Sequence, residues 1–345
     1  IERGVINLHN YNLFTDLNAY DYSWKLFENG KMIASNTFKA EGKPLEAKDI
    51  TLQLPVIDFK SGSEYFLVVE ACQRNATDLV EKGHVVATEQ FAFPKNNFFV
   101  AKAHTGNLKI TKNDKEFLFE SGDIKGKINL KTGKIAGYSY KGTKLITDAL
   151  RPNFWRAPLD NDFGNEMNSR LNIWRAVDKN MVAESLDIKD QNAEGVVVIA
   201  NYKFLGLDVH YSVNYSIQND ASVIVTSTLD KGSIELPELP RFGMKMQLPV
   251  EFENVTYYGR GPWENYNDRN TSSFIGKYSC KVDELNFDYS RPQENGYRTD
   301  VRTVSFTDSK GNGLLFEGIG APVCFNARNN MDEDLDPGLT KKQQH

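Results

Sequence analysis

The stretch Val209-His210-Tyr211-Ser212-Val213-Asn214-Tyr215-Ser216-Ile217 decides the fold class. Its apolar side chains alternate with polar ones, and a period of two places neighbours on opposite faces of a pleated strand. One face belongs in a core and the other in solvent. Outward from it the same period recurs. Residues 117–119, 126–130 and 135–140 read as a meander, punctuated by Lys131-Thr132-Gly133-Lys134 and Lys141-Gly142, and 223–229 and 303–306 add further strands. A single helix interrupts them, with Met167, Leu171, Trp174 and Val177 at three- and four-residue steps and Asn165 as its N-cap. A (β/α)8 barrel needs about eight strand–helix units. The pattern predicts an all-β chain with no room for one.

The N-terminal part has the same character. Tyr22-Ser23-Trp24-Lys25-Leu26-Phe27 and Met32-Ile33-Ala34 flank Asn29-Gly30, the dipeptide that type I′ hairpins favour because both central residues need positive φ. Strands are expected over 50–54, 65–71 and 85–93, separated by turns such as Lys60-Ser61-Gly62-Ser63. Short strands over about a hundred residues predict an immunoglobulin-like β-sandwich for residues 1–97, without the Cys–Trp–Cys signature of antibody domains. Pro94-Lys95-Asn96-Asn97 is the candidate linker, and a second all-β region is expected over 98–345.

Composition narrows the function classes. In 345 residues, 41 basic and 46 acidic side chains give a net charge of −5, and no Lys/Arg run attracts nucleic acid or an anionic membrane surface. No segment approaches the roughly 18 consecutive apolar residues of a membrane-spanning helix. Cys72, Cys280 and Cys324 are too few and too scattered for a disulfide framework or a zinc site. The start Ile1-Glu2-Arg3-Gly4, without an initiator Met or a signal segment, reads as a cut inside a longer protein.

Three segments stand out chemically. Phe154-Trp155-Arg156-Ala157-Pro158-Leu159-Asp160-Asn161-Asp162-Phe163-Gly164 is Asx-rich, so it reads either as a loop braced by its own hydrogen bonds or as a loop lining a ligand cleft. Tyr257-Tyr258-Gly259-Arg260-Gly261-Pro262-Trp263-Glu264-Asn265-Tyr266-Asn267-Asp268-Arg269 combines aromatics, Arg and carboxylates, which suits sugar recognition and equally a rigid ion-paired corner. Arg291-Pro292-Gln293-Glu294-Asn295-Gly296-Tyr297-Arg298-Thr299-Asp300-Val301-Arg302 opens as a turn and is expected to set Arg298, Asp300 and Arg302 along one strand face. Asp160, Asn161 and Asp162 offer oxygens to a cation, but hard-cation sites need about six or more, so no metal site is expected.

In this order Phe154 to Gly164, Tyr258 to Arg269 and Pro292 to Arg302 within these segments resemble the small-chain region of bacterial family 2 β-galactosidases, together with Leu239-Pro240-Arg241-Phe242-Gly243-Met244 and, near the start, Asn7-Leu8-His9-Asn10 before Tyr22-Ser23-Trp24. The resemblance covers essentially the whole chain. It implies an immunoglobulin-like β-sandwich that follows the catalytic barrel, then a galactose-mutarotase-like β-supersandwich. That second domain is truncated at Lys341-Lys342-Gln343-Gln344-His345, before the family's final strands and their sugar-stacking Trp.

The resemblance further implies a parent enzyme that hydrolyses terminal β-galactosides with retention, using two glutamates about 5 Å apart on a barrel that this chain lacks. Asp160, Asn161, Asp162 and Gly164 correspond to a mobile loop at the cleft mouth. Arg260, Glu264, Asn265, Asp268, Arg269, Glu294, Asn295 and Arg298 are cleft or structural candidates. No catalytic residue, cofactor or metal is expected within the chain, and the Mg and Na of full-length enzymes lie elsewhere. The expected partners are the (β/α)8 barrel of the same parent, its galactoside substrate, and further copies of the parent in a homo-oligomer; cytoplasm and periplasm both stay open.

Two other readings remain. An aldose mutarotase needs a carboxylate and usually a His across the anomeric centre, and the chain offers His9, His84, His104, His210 and His345. A carbohydrate-binding module with no chemistry of its own is the other. A truncated end also predicts an uncovered sheet edge, with limited stability or self-association.

Overall fold

The computed structural model describes residues 3–192 and 195–336; Ile1, Glu2 and the 341–345 terminus lie outside the described residues. It is all-β, with antiparallel pairing throughout and only short helical turns. Residues 209–217 lie within the strand Leu207–Gln218, where Val209, Tyr211, Val213, Tyr215 and Ile217 are all buried.

The N-terminal strands form two facing sheets. Lys31–Phe38, Tyr20–Glu28, Tyr65–Gln73 and Val85–Ala92 pair in that order, and Val5–His9 pairs with Ala47–Thr51. Ile6, Trp24, Leu26, Leu52, Tyr65, Leu67, Val69 and Phe93 fill the space between them. The hairpin at Asn29-Gly30 has φ of 48° and 76°, the two positive values its turn requires. Expected strand 50–54 is displaced to Ala47–Thr51, because that register pairs Ile50 with Ile6. The candidate linker is not a free tether. Asn96 Oδ1 accepts from Tyr65 N at 2.7 Å, and the Asn97 backbone exchanges bonds with Gly62 and Ser63.

Beyond it, a five-stranded meander runs from Lys109–Lys112 through Glu116–Ser121, Ile124–Asn129 and Ile135–Tyr140 to Thr143–Lys144. Within it Phe119 stands opposite Gly126, and its ring covers the glycine so closely that an added Cβ would meet ring carbons at 2.0 to 2.7 Å. The meander shares one core with the sheet Met181–Asn192, Gly195–Phe204, Leu207–Gln218, Val223–Asp230, where Phe117, Phe119 and Ile128 meet Val198, Tyr211 and Tyr215. A further sheet (Phe274–Lys281, Asn254–Gly261, Thr303–Thr307, Gly313–Glu317) packs over Leu145, Val255, Tyr257, Val301 and Val304.

The expected helix is broken. Met167, Leu171, Trp174 and Val177 are buried as their spacing requires, but Met167–Arg170 is one helical turn and Asn172–Trp174 a 3-10 turn. Glu166, at φ 60° and ψ 31°, stands before the first of them where Asn165 was expected as cap; Asn165 instead closes the turn Asp160–Gly164. A left-handed residue cannot continue a right-handed helix, so the chain restarts at Met167.

The N-terminal sheets are locked to the last sheet by a small seam. Phe66, Tyr258, Ile275 and Phe98 pack together, and Gln90 brackets Ile275, donating Nε2 to its carbonyl at 2.9 Å and accepting from its N–H at 2.8 Å. At the centre Arg302 meets Glu64 through two bonds, 2.6 and 2.9 Å long, with side chains 11% and 5% exposed. Removing one partner strands the other's charge, so Arg302→Ala is expected to lower the unfolding free energy by about 3–5 kcal/mol. Urea denaturation measures this; a loss under about 1 kcal/mol, the size of an exposed pair, would show that the seam is not dry.

Candidate functional site

The first motif departs from a long irregular loop. Phe154 and Trp155 are buried at its base, and Asp160–Gly164 closes as a helical turn. Asp162, 7% exposed, faces inward: it accepts from Arg156 at 2.6 and 3.0 Å and from Leu159 N at 2.7 Å. Asp160, Asn161 and Gly164 face solvent, and Gly164 has no positive φ. The two carboxylates therefore do not converge on a cation. Asp162 is taken by Arg156, Asp160 by Arg291 at 2.5 Å, and no metal-type cluster occurs among the described residues.

The second motif is a braced corner. Asn265, fully buried, uses its whole amide: Nδ2 donates to the carbonyls of Arg260 and Trp263, while Oδ1 accepts from Thr299 N and Oγ1. Arg260 donates to Asp300 and to the carbonyls of Asn270 and Ser273. Glu264 accepts from Arg269, from the Tyr289 hydroxyl and from Gly296 N. Asp268 is exposed, and Trp263, at 73% exposure, offers an uncovered aromatic face.

The third motif does not form one polar row. Arg298 is buried and donates to the Tyr257 hydroxyl and to the carbonyls of Gly296, Tyr297 and Pro262, whereas Asp300 turns to Arg260 and Arg302 to Glu64. The cause is local. Asp300 sits at φ 52°, and the pairing of Arg298–Val301 with Val323–Phe325 shifts register there. Asn295 is equally committed, accepting from Phe287 N and donating to Gln293 O.

Glu294, 1% exposed, anchors an ion network that composition did not announce. It accepts from Arg241 at 2.6 Å, Asn326 at 2.7 Å and Arg328 at 3.3 Å. Arg328 also binds Asp332, and Lys245 lies between Asp332 and Asp178. This network borders a cleft of about 200 Å³ lined by Trp155, Arg175, Asp178, Lys179, Lys245 and Asp332. Asp336 accepts from Trp155 Nε1 at 2.8 Å and pairs with Arg175, whose guanidinium lies over the indole at 4.7 Å. Each acidic group described there, Glu333 with Lys179 included, has a cationic partner.

Among the described residues the histidines do not gather. His104 Nδ1 contacts Asp220 and Ser222 at 3.0 and 3.1 Å, clamping a hairpin turn; His210 is largely exposed near Glu184, and His9 stacks on Tyr11. His345 lies outside the described residues. Sequence reasoning quoted Arg156, Arg291 and Arg241 within its segments but named none of them, nor Arg328, as a site residue; of the four only Arg156 shares a segment with its partner.

The sheets define a multi-sandwich all-β protein with densely ion-paired motif corners. Comparison with known families completes the assignment: the β-galactosidase small-chain model matches residues 120–344 and β-galactosidase domain 4 matches 6–94. The chain belongs to the β-galactosidase small-chain family. It is 30% identical over 319 residues to a β-galactosidase of Priestia megaterium, covering 92% of this chain and 31% of that protein. For β-galactosidases of Halalkalibacterium halodurans and Vibrio cholerae the identities are 28% and 32%, covering 93% and 77% of this chain and 32% and 27% of theirs. The chain thus spans about a third of the length of these relatives.

Burial favours protonated Glu294, but Arg241 and Arg328 outweigh it and hold the carboxyl below its ordinary value. A lowered folded pKa contributes stability above the unfolded value of about 4.3, lost as pH falls through the folded one. Asp332 works in the opposite sense, since burial raises its carboxyl despite Arg328, and its contribution fades as pH rises. Urea midpoints between pH 7 and 3 are expected to fall below about pH 4.3, with Glu294→Gln showing a lower midpoint at pH 7 and a flatter acid slope. An equally steep slope in the variant would exclude Glu294 as the source.

Proposed function

We propose that this chain is the region following the barrel in a β-galactosidase that hydrolyses terminal β-galactosides with retention. In this reading residues 1–97 are a spacer sandwich, and 98–345 wall the substrate cleft, with the Asp160–Gly164 turn as a gate at its mouth. The catalytic glutamates, together with the Mg and Na sites, belong to parts of the parent outside this chain, and the parent assembles as a homo-oligomer. One observation carries the reading: similarity to β-galactosidases runs over 92% of this chain but only 31% of the relative. Glu294 beside the cleft supports it too: Arg241 and Arg328 hold its carboxyl below the ordinary range, which makes it a poor general acid.

The test is o-nitrophenyl β-galactoside hydrolysis, by the chain alone and by a parent that includes a barrel. The chain alone is expected to give no turnover and the parent to be active. Turnover by the chain that disappears when one of its own carboxylates is neutralised would overturn the assignment of roles, and acceleration of α-galactose mutarotation in polarimetry would replace it.

A further inference from the structure

Arg291 has an arrangement that neither the ion network nor the corner explains. Its guanidinium carbon lies over the Phe163 ring, 3.8 Å from the centroid and within cation–π range, while Nη1 donates to Asp160 at 2.5 Å. Both contacts are to the Asp160–Gly164 turn, 131 residues away along the chain from Arg291. The side chain is 15% exposed, and Nε and Nη2 are buried without an acceptor among the described residues. A buried donor left without a partner costs free energy, so the guanidinium is not held where its own hydrogen bonding is best. It is held by the ring and the carboxylate.

Otherwise the turn is lightly fastened. Asp160, Asn161, Gly164, Asn165 and Glu166 are exposed, and a Cβ at Gly164 would meet nothing within 4 Å. On the inner side Arg156 and Leu159 N grip Asp162. Downstream, left-handed Glu166 separates the turn from Met167–Arg170, so no continuous helix stiffens it.

We propose that Arg291 is a positioning residue that clamps the Asp160–Gly164 turn from outside, through Phe163 and Asp160, and so sets the geometry of the cleft mouth. The inference rests on the reading of that turn as a gate. The clamp releases when the guanidinium slides off the ring, and its two unpartnered nitrogens, Nε and Nη2, make that displacement easier than for a fully bonded arginine. Lysine cannot replace it, because an ammonium reaches Asp160 as a point charge without offering a plane to the ring.

Hydrogen exchange read on peptides covering 159–166 tests the clamp in the chain itself. Arg291→Ala is expected to speed exchange there about 5- to 10-fold, leaving Leu207–Gln218 unchanged. Asp160→Asn, at an exposed position that cannot unfold the chain, should give about a 2- to 3-fold rise, and Arg291→Lys an intermediate one. Unchanged exchange at 159–166, or a rise spread evenly over the sheets, would overturn the clamp. In the parent, Arg291→Ala should raise KM for o-nitrophenyl β-galactoside about 3- to 10-fold with kcat moved less than about twofold, and Arg291→Lys should recover part of it. Faster exchange with an unchanged KM would overturn the positioning role. If the unsubstituted parent is inactive, the functional reading falls, while the exchange experiment still decides the clamp.

Discussion

The arrangement of the chain depends on a buried ion pair between distant segments, Glu64 and Arg302, which lie 238 residues apart. Two charges removed from water gain little net stability, because desolvation offsets most of their attraction. What the pair supplies is location. A carboxylate with both oxygens occupied by one guanidinium tolerates no sliding, so the Tyr65–Gln73 strand and the Thr303–Thr307 strand hold a fixed relation. Gln90 repeats the logic with neutral groups, its amide copying the donor and acceptor spacing of a neighbouring strand. The apolar part of the seam is small. Polar contacts therefore set its register, and Phe66 and Tyr258 keep water out.

The sheets were legible because burial writes itself into spacing. Residues 209–217 and the Asn29-Gly30 turn are local statements, complete within about ten residues, and both appear where their patterns put them. The apolar face of 167–177 was legible in the same way, yet the helix was not continuous, since spacing reports which side chains are inside and not whether the backbone between them is regular. The polar row at 298, 300 and 302 failed for a related reason. Alternation assumes an undisturbed strand, and a single left-handed residue at Asp300 redirects everything after it.

The motif corners show the reverse limit. Composition correctly marked them as dense in Arg, Asx and aromatic residues, but two arrangements satisfy such a composition, and only partner geometry separates them. Asn265 and Arg298 spend their hydrogen-bonding capacity inside the protein, while Trp263, two residues from Asn265, stays open. Arg241 and Arg328 carried no advance signal, since nothing in a chain spells which arginine will close on Glu294 from 53 and 34 residues away.

Phe119 and Gly126 form a unit of a different kind. The benzyl plane occupies the volume where its cross-strand neighbour would otherwise keep a side chain, so the two positions share one allotment of space. Neither can drift alone during divergence. Enlarging position 126 evicts the aromatic group from the interior, and shrinking position 119 uncovers bare backbone in the middle of a sheet. A change at either position therefore calls for a compensating change at the other.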